Sequence, residues 1–375
     1  MPAGRKIKLG WLGGGGRGAW LAKLFREHGG YEFHAVADYF PEVADKCGEA
    51  LGVDKSRRFA GLSGYQKVLD SGVEALGILD VPCFFPEQAT AAVAAGCHVY
   101  IAKPIAVDVP GCLAIEAAGK LATQKRQSFL VDYQLPTDPV NQEVVQRIWD
   151  GGLGRLWAVT TVGQGAGANQ LPDPPKGKTI ESRLRDLIWC ADIPLGGDPL
   201  VNYDIHIIDA AVWAIRCRAI SAVGYARVCR PEPHGDRQDL AFVTFECPDG
   251  LVWNHRTWVL PDHGEENLTC NIHGQLASAR IGYSGKSFLR GGPKHFGGGT
   301  VDEVYKRGAI RNINAFYQSI VEQRFDNPTV QRAVDGTLTA ILGREAALRG
   351  VGLTMDELIK ENRKLEVDLT GLQVG

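Results

Sequence analysis

Hydrophobic positions follow two regimes along the chain. From residue 6 to about 130, short apolar runs alternate with segments whose apolar residues recur every three or four positions. The runs Lys6–Leu12, Phe33–Asp38, Glu74–Asp80, His98–Ala102 and Ser128–Val131 predict strands. Between them, Ala19–Phe25, a segment opened by Pro41, the alanine-rich Glu87–Ala95 closed by Gly96, and Val109–Ala122 predict helices. Strands alternating with helices predict a parallel sheet covered on both faces.

The second regime is richer in strands. Leu156–Val162 predicts a strand, followed by an irregular passage through Leu171–Pro175. A nearly continuous apolar helix is predicted over Val201–Ile215. Strands follow at Ile220–Val228, Leu240–Glu246, Leu251–Val259 and Leu268–His273, with a Pro-Asp-Gly hairpin turn within Cys247–Gly250. Gly291–Thr300 reads as a glycine-rich loop, and helices return at Ile313–Arg324 and Ala333–Arg349. The pattern predicts an α/β chain: a parallel-sheet domain over residues 1–130, then an α+β domain over 131–375 with an open, mainly antiparallel sheet.

Composition narrows the function classes. The 375 residues carry a net charge of −2, without a basic block or a long uninterrupted apolar segment. Neither a nucleic acid nor a membrane is expected as a partner. Nine cysteines without a CxxC pair read as reduced thiols of a cytoplasmic protein, and dispersed histidines give no metal site.

The glycine stretch Gly13–Gly18 sits between a predicted strand and a predicted helix. Gly13, Gly15 and Gly18 match GxGxxG, with Gly16 and Arg17 inside the turn. In that context the first glycine permits the tight turn, the second admits a pyrophosphate and the third packs helix on strand. Asp38, twenty residues after Gly18, ends the second strand, where its carboxylate can accept from a ribose hydroxyl. Tyr39 brings no positive charge for a 2′-phosphate, so NAD is favoured over NADP. Val81 and Pro82 are expected along the same crevice.

Two further groups could carry chemistry. Lys103, in Tyr100–Pro104, follows a strand end and faces the cofactor edge, as either a solvated charge or a catalytic ammonium. Asn202, His206 and Asp209 fall on one face of the apolar Val201–Ile215 helix. His206 is there either a satisfied core histidine or an acid–base imidazole.

Together, Gly13–Gly18, Ala37–Asp38, Ala94–Pro104 and Asp204–Asp209 resemble the Gfo/Idh/MocA oxidoreductases, the glucose–fructose oxidoreductase and inositol dehydrogenase family. The resemblance implies a Rossmann domain, a bound nicotinamide, a sugar, polyol or cyclitol substrate, and a homo-oligomer (dimer or tetramer) formed through an exposed sheet face. Lys103 then corresponds to the active-site lysine and His206 to the acid–base histidine. Three positions depart from the family pattern: Ala102 replaces the acid before the lysine, Asn202 the acid before the histidine, and Pro86 a histidine after the fourth strand. Proton transfer then falls on His206, with Lys103 or Asp204 as possible helpers. Gln134, Arg185, Tyr203 and Arg256 are candidate substrate contacts. An NAD-dependent redox glycosidase and a non-catalytic sugar or dinucleotide sensor are the alternatives to a dehydrogenase.

Overall fold

The computed structural model describes residues 5–165, 179–185, 188–229, 235–260 and 267–375; the passage Leu171–Pro175 lies outside the described residues. Along the first part run β1 (Ile7–Leu12), α1 (Gly16–His28), β2 (Tyr31–Asp38), α2 (Pro41–Leu51), β3 (Arg58–Ala60), α3 (Gly64–Asp70) and β4 (Ala75–Ile78). They continue as α4 (Phe85–Ala94), β5 (His98–Ile101), α5 (Val109–Gln124) and β6 (Phe129–Val131). The strands form one sheet in the order β3-β2-β1-β4-β5-β6, with every pair parallel. All four residues of β4 and most of β1 are buried, as a sheet covered on both faces requires. This is the expected Rossmann arrangement. It sets Gly13, Asp38, Asp80, Lys103 and Asp132 at or just past the carboxyl ends of β1, β2, β4, β5 and β6.

The second part holds α6 (Pro139–Trp149), β7 (Leu156–Gln164), α7 (Ile180–Leu184), α8 (Ile193–Gly196), α9 (Asp198–Asn202) and α10 (Ile205–Ile215). Next come β8 (Ser221–Arg227), β9 (Leu240–Glu246), β10 (Val252–Trp258), β11 (Asn267–Gly274), β12 (Ala277–Gly282), β13 (Gly285–Gly291) and β14 (Phe296–Val301). The described chain closes with α11 (Val304–Val321), α12 (Pro328–Arg349), β15 (Leu353–Thr354), α13 (Met355–Glu361) and an extended segment to residue 375. Nine strands order as β14-β13-β12-β11-β7-β10-β9-β8-β15, all antiparallel except the β7–β10 pair. Ala241, Val243, Phe245 and Trp253 turn inward, and α10 and α12 pack on this sheet. The alternate positions leave Trp157, Val223, Tyr225, Phe242 and Val252 exposed on the other face.

Two expectations need correction. The Gly291–Thr300 stretch is not simply a loop, because Phe296–Val301 forms edge strand β14. Its glycines hide the strand periodicity but fit the packing. A Cβ on Gly299 would lie 2.8 Å from Val140 Cγ2 on α6. The continuous Val201–Ile215 helix is in fact broken at Tyr203–Asp204, where the amides of both residues donate to the Pro199 carbonyl. The break turns the buried Asp204 carboxylate toward His255, so Asn202 does not share a helix with His206.

Candidate active site

The glycine turn meets the requirements of a dinucleotide cradle. Gly13 has φ 85°, and a Cβ there would lie 2.5 Å from the Leu79 carbonyl oxygen, so only glycine fits. A Cβ on Gly15 or Gly16 would point into open space. Helix α1 begins at Gly16 with no acid in its first turn, leaving its first amides able to meet an anion.

Beside this turn, Asp38 accepts hydrogen bonds from the amides of Gly14 (2.8 Å) and Phe40 (3.0 Å). Burial, with the nearby Asp80 carboxylate second, pushes Asp38 up to about 6. Asp38, Tyr39 and Asp80 line a cavity of about 730 Å³, counting its open mouth, with Leu12, Phe84 and Leu369 among its apolar walls. Val81 donates its amide to Asp80 at 2.8 Å, and Pro82 opens the short turn into α4. Asp80 is a site residue that sequence reasoning assigned only to a strand end. Its signal was its place, since it follows β4 as Asp38 ends β2. Backbone amides at one end and two acids with an apolar slot at the other suit a pyrophosphate joined to an adenosine.

Lys103 and His206, neither of which lines that cavity, lie close enough for the lysine's charge to act on the imidazole. A cis peptide joins Lys103 to Pro104. The Lys103 ammonium donates to the Asn202 carbonyl at 2.6 Å. Burial, followed by the charge of Arg17, pulls Lys103 down to about 8. His206, in the first turn of α10, is buried, and its Nδ1 has no hydrogen-bond partner among the described residues. Burial first, then Lys103 and Arg17, hold the imidazole well below its usual range. The ring is therefore neutral at neutral pH and can accept a proton.

Arg17 departs from a purely local role in the glycine turn. Its Nη2 donates to Asp132 Oδ2 at 2.8 Å, and its guanidinium lies over the Trp20 and Tyr305 rings at 5.7 and 4.8 Å. Asp132 also accepts from Gln134 Nε2 (2.7 Å) and Asn312 Nδ2 (2.9 Å). Tyr283 donates its hydroxyl to Gln134 Oε1 at 3.2 Å, and its ring centroid lies 5.0 Å from that of His206. A polar chain thus runs from the glycine turn through Asp132 and Gln134 to Tyr283, whose ring packs against the imidazole. Of these, Asp132 and Tyr283 carried no motif in the sequence.

The other sequence candidates divide by position. Asn202 reaches Lys103 through its backbone, while its side-chain amide donates to the Gly196 carbonyl at 3.2 Å. Half-buried Tyr203 sits at the helix break beside them. Asp204 shares a hydrogen bond with His255 Nε2 (2.9 Å), and His255 Nδ1 with Thr161 Oγ1 (2.8 Å). Asp209 is held by Arg332 at 2.8 Å. Arg185 pairs with Glu42 at 2.8 Å and covers the Phe40 ring, next to Tyr39 rather than His206. Arg256 covers the Trp258 ring in β10. Ala102 is buried, and Pro86 starts α4. Among the described residues, no cluster of three or more His, Cys, Asp or Glu could hold a metal, and no helix is long and apolar enough to cross a membrane.

No protein-family model matches the chain. Solved structures do. Levoglucosan dehydrogenase in complex with NADH and levoglucosan is similar at 16% identity and TM-score 0.75, over 94% of this chain and all of that one. GenD2 from gentamicin A biosynthesis, in complex with NAD, is similar at 15% identity and TM-score 0.73, over 94% and 97%. The aldose-aldose oxidoreductase of Caulobacter crescentus is similar at 18% identity and TM-score 0.72, over 93% and 100%. At these identities the likeness shows the fold: a Rossmann domain followed by an α+β domain with a large, mainly antiparallel sheet.

Proposed function

We propose that this protein is an NAD-dependent oxidoreductase that moves hydride between the nicotinamide and a secondary hydroxyl of a sugar, polyol or cyclitol. The observation that carries the reading is half-buried Lys103 at the carboxyl edge of β5 together with buried His206, both under the charge of Arg17 from the glycine turn. The solved structures of similar fold include a levoglucosan dehydrogenase, with NADH and its sugar, and an aldose-aldose oxidoreductase. Residues 1–130 hold the cofactor, and 131–375 supply His206 and the substrate wall.

When bound, the nicotinamide accepts or donates the hydride at the carbinol carbon. His206, kept neutral by burial and by the charges of Lys103 and Arg17, takes the hydroxyl proton in oxidation and returns it in reduction. Lys103, at about 8, is mostly protonated at neutral pH. One of its three N–H groups stays on the Asn202 carbonyl, leaving others for the substrate oxygen as alkoxide charge develops. Asp204 is engaged with His255 and Asn202 lacks a carboxylate, so neither replaces His206 as the proton acceptor. Gln134 and Tyr283 border the imidazole and complete the substrate wall. The exposed face carrying Trp157, Tyr225 and Phe242 is the contact of the homo-oligomer.

The test is to denature the purified protein, identify any released nicotinamide, and follow NADH absorbance across sugars, cyclitols and glycosides. NADH formation with a free sugar or cyclitol supports the reading. Glycoside cleavage without net NADH would replace it with the redox glycosidase, and NAD binding without turnover on any substrate with the sensor.

A further inference from the structure

The extended segment after α13 returns to the first half of the chain. The Leu365 amide donates to Asp108 Oδ2 at 2.9 Å, the carboxylate whose other oxygen caps α5 through the Gly111 amide. Eight residues later the segment pairs with the loop after β3. Leu62 donates to the Gln373 carbonyl (3.1 Å), Ser63 to the Val374 carbonyl (2.7 Å), and the Gln373 amide to the Tyr39 hydroxyl (3.2 Å). Between these anchors, Val367 and Leu372 join an apolar cluster with Tyr39, Phe40 and Val81. Leu369 faces the cavity that Asp38 and Asp80 line. With the segment in place the cavity stays open, with Leu369 as one of its walls.

We propose that residues 365–375 form a strap over the adenosine end of the cofactor site and set how slowly the dinucleotide leaves. This rests on the NAD reading above. The strap is tied at one end to the Asp108 carboxylate and at the other by backbone hydrogen bonds to Leu62 and Ser63, and it lies against Tyr39, the neighbour of the proposed ribose-binding acid. An adenosine resting on Asp38 would lie beside Leu369, so loosening the segment should speed dissociation rather than change hydride transfer.

Two variants test it: a chain ending at Arg363, and Leu369→Asp in the full chain, which keeps both anchors. NAD affinity and displacement rate are measured for each by fluorescence, with nicotinamide mononucleotide, which lacks the adenosine half, as the control ligand. The expected result is NAD release faster by about tenfold or more, with a matching loss of affinity and unchanged mononucleotide binding. Should the shortened chain not fold, Leu369→Asp decides alone. NAD release as slow as in the full chain, tighter binding, or an equal loss for the mononucleotide overturns the strap. Absence of NAD binding by the full chain overturns the cofactor reading instead.

Discussion

The two ends of the crevice are built by different means. At the proposed adenosine end, the acid is fixed by backbone close to it in sequence, with the far segment around Leu369 adding one wall. The turn at Gly13–Gly18 follows β1, and Asp38 is fixed by the amides of Gly14 and Phe40. At the reactive end, the groups come from distant parts of the chain: Arg17, Lys103, Asp132, Asn202, His206 and Tyr283. The charges differ too. At the first end burial, with the Asp80 carboxylate second, raises the proton affinity of Asp38, whereas at the second burial, then Lys103 and Arg17, lower that of His206. On the proposed reading, one end accepts hydrogen bonds from hydroxyls that stay intact and the other moves a proton. Binding and chemistry should therefore be separable by substitution.

The largest separation is expected at Lys103. Lys103→Met should lower kcat/KM by about 10²–10³-fold while NAD affinity, read by fluorescence titration, stays within about twofold. At the opposite end, Asp38→Ala should shift the NADP-to-NAD preference by about ten- to a hundredfold through the cofactor KM values, with little change in kcat. The same carboxyl gives a pH signature. Because Asp38 sits at about 6, NAD affinity should fall as pH drops through that value, where the carboxylate gains a proton and loses an acceptor. Asp38→Asn should flatten the dependence.

Smaller effects sharpen the contrast. Tyr283→Phe removes the donor to Gln134 and should reduce kcat/KM by about three- to tenfold, leaving NAD binding alone. On the alkaline side, kcat/KM should decline above about pH 8 as Lys103 loses its proton. Burial is the first cause of that low value and Arg17 the second, so Arg17→Met should move the decline to higher pH. Least of all should change with Arg185→Ala, whose exposed pairing with Glu42 lies away from His206; kcat/KM should stay within about twofold.

The same division explains what could be read from the sequence. A glycine turn between strand and helix, an acid closing the next strand and a lysine-proline pair after β5 are local patterns, and the sheet order carries them to one edge. Asp132 lies just past β6 but gains meaning only when Arg17, 115 residues earlier, reaches it. Tyr283 meets Gln134 across 149 positions, a distance no periodicity reports. The break at Tyr203–Asp204 was equally hidden. Apolar spacing favours one helix there, and the opposing influence is a buried carboxylate seeking His255 in β10. In β14 a run of three glycines, of which Gly299 packs closely on α6, erased the alternation that marks a strand.

The central claim is that His206 moves the proton while the cofactor site stands independent of it. Single-turnover reduction of bound NAD by an active sugar or cyclitol, in the full chain and in His206→Ala, tests this most directly when NAD affinity is measured on the same samples. The account predicts a rate lower by about 10²–10⁴-fold in His206→Ala at unchanged affinity. An unchanged rate, or a loss that follows weaker NAD binding, would contradict it.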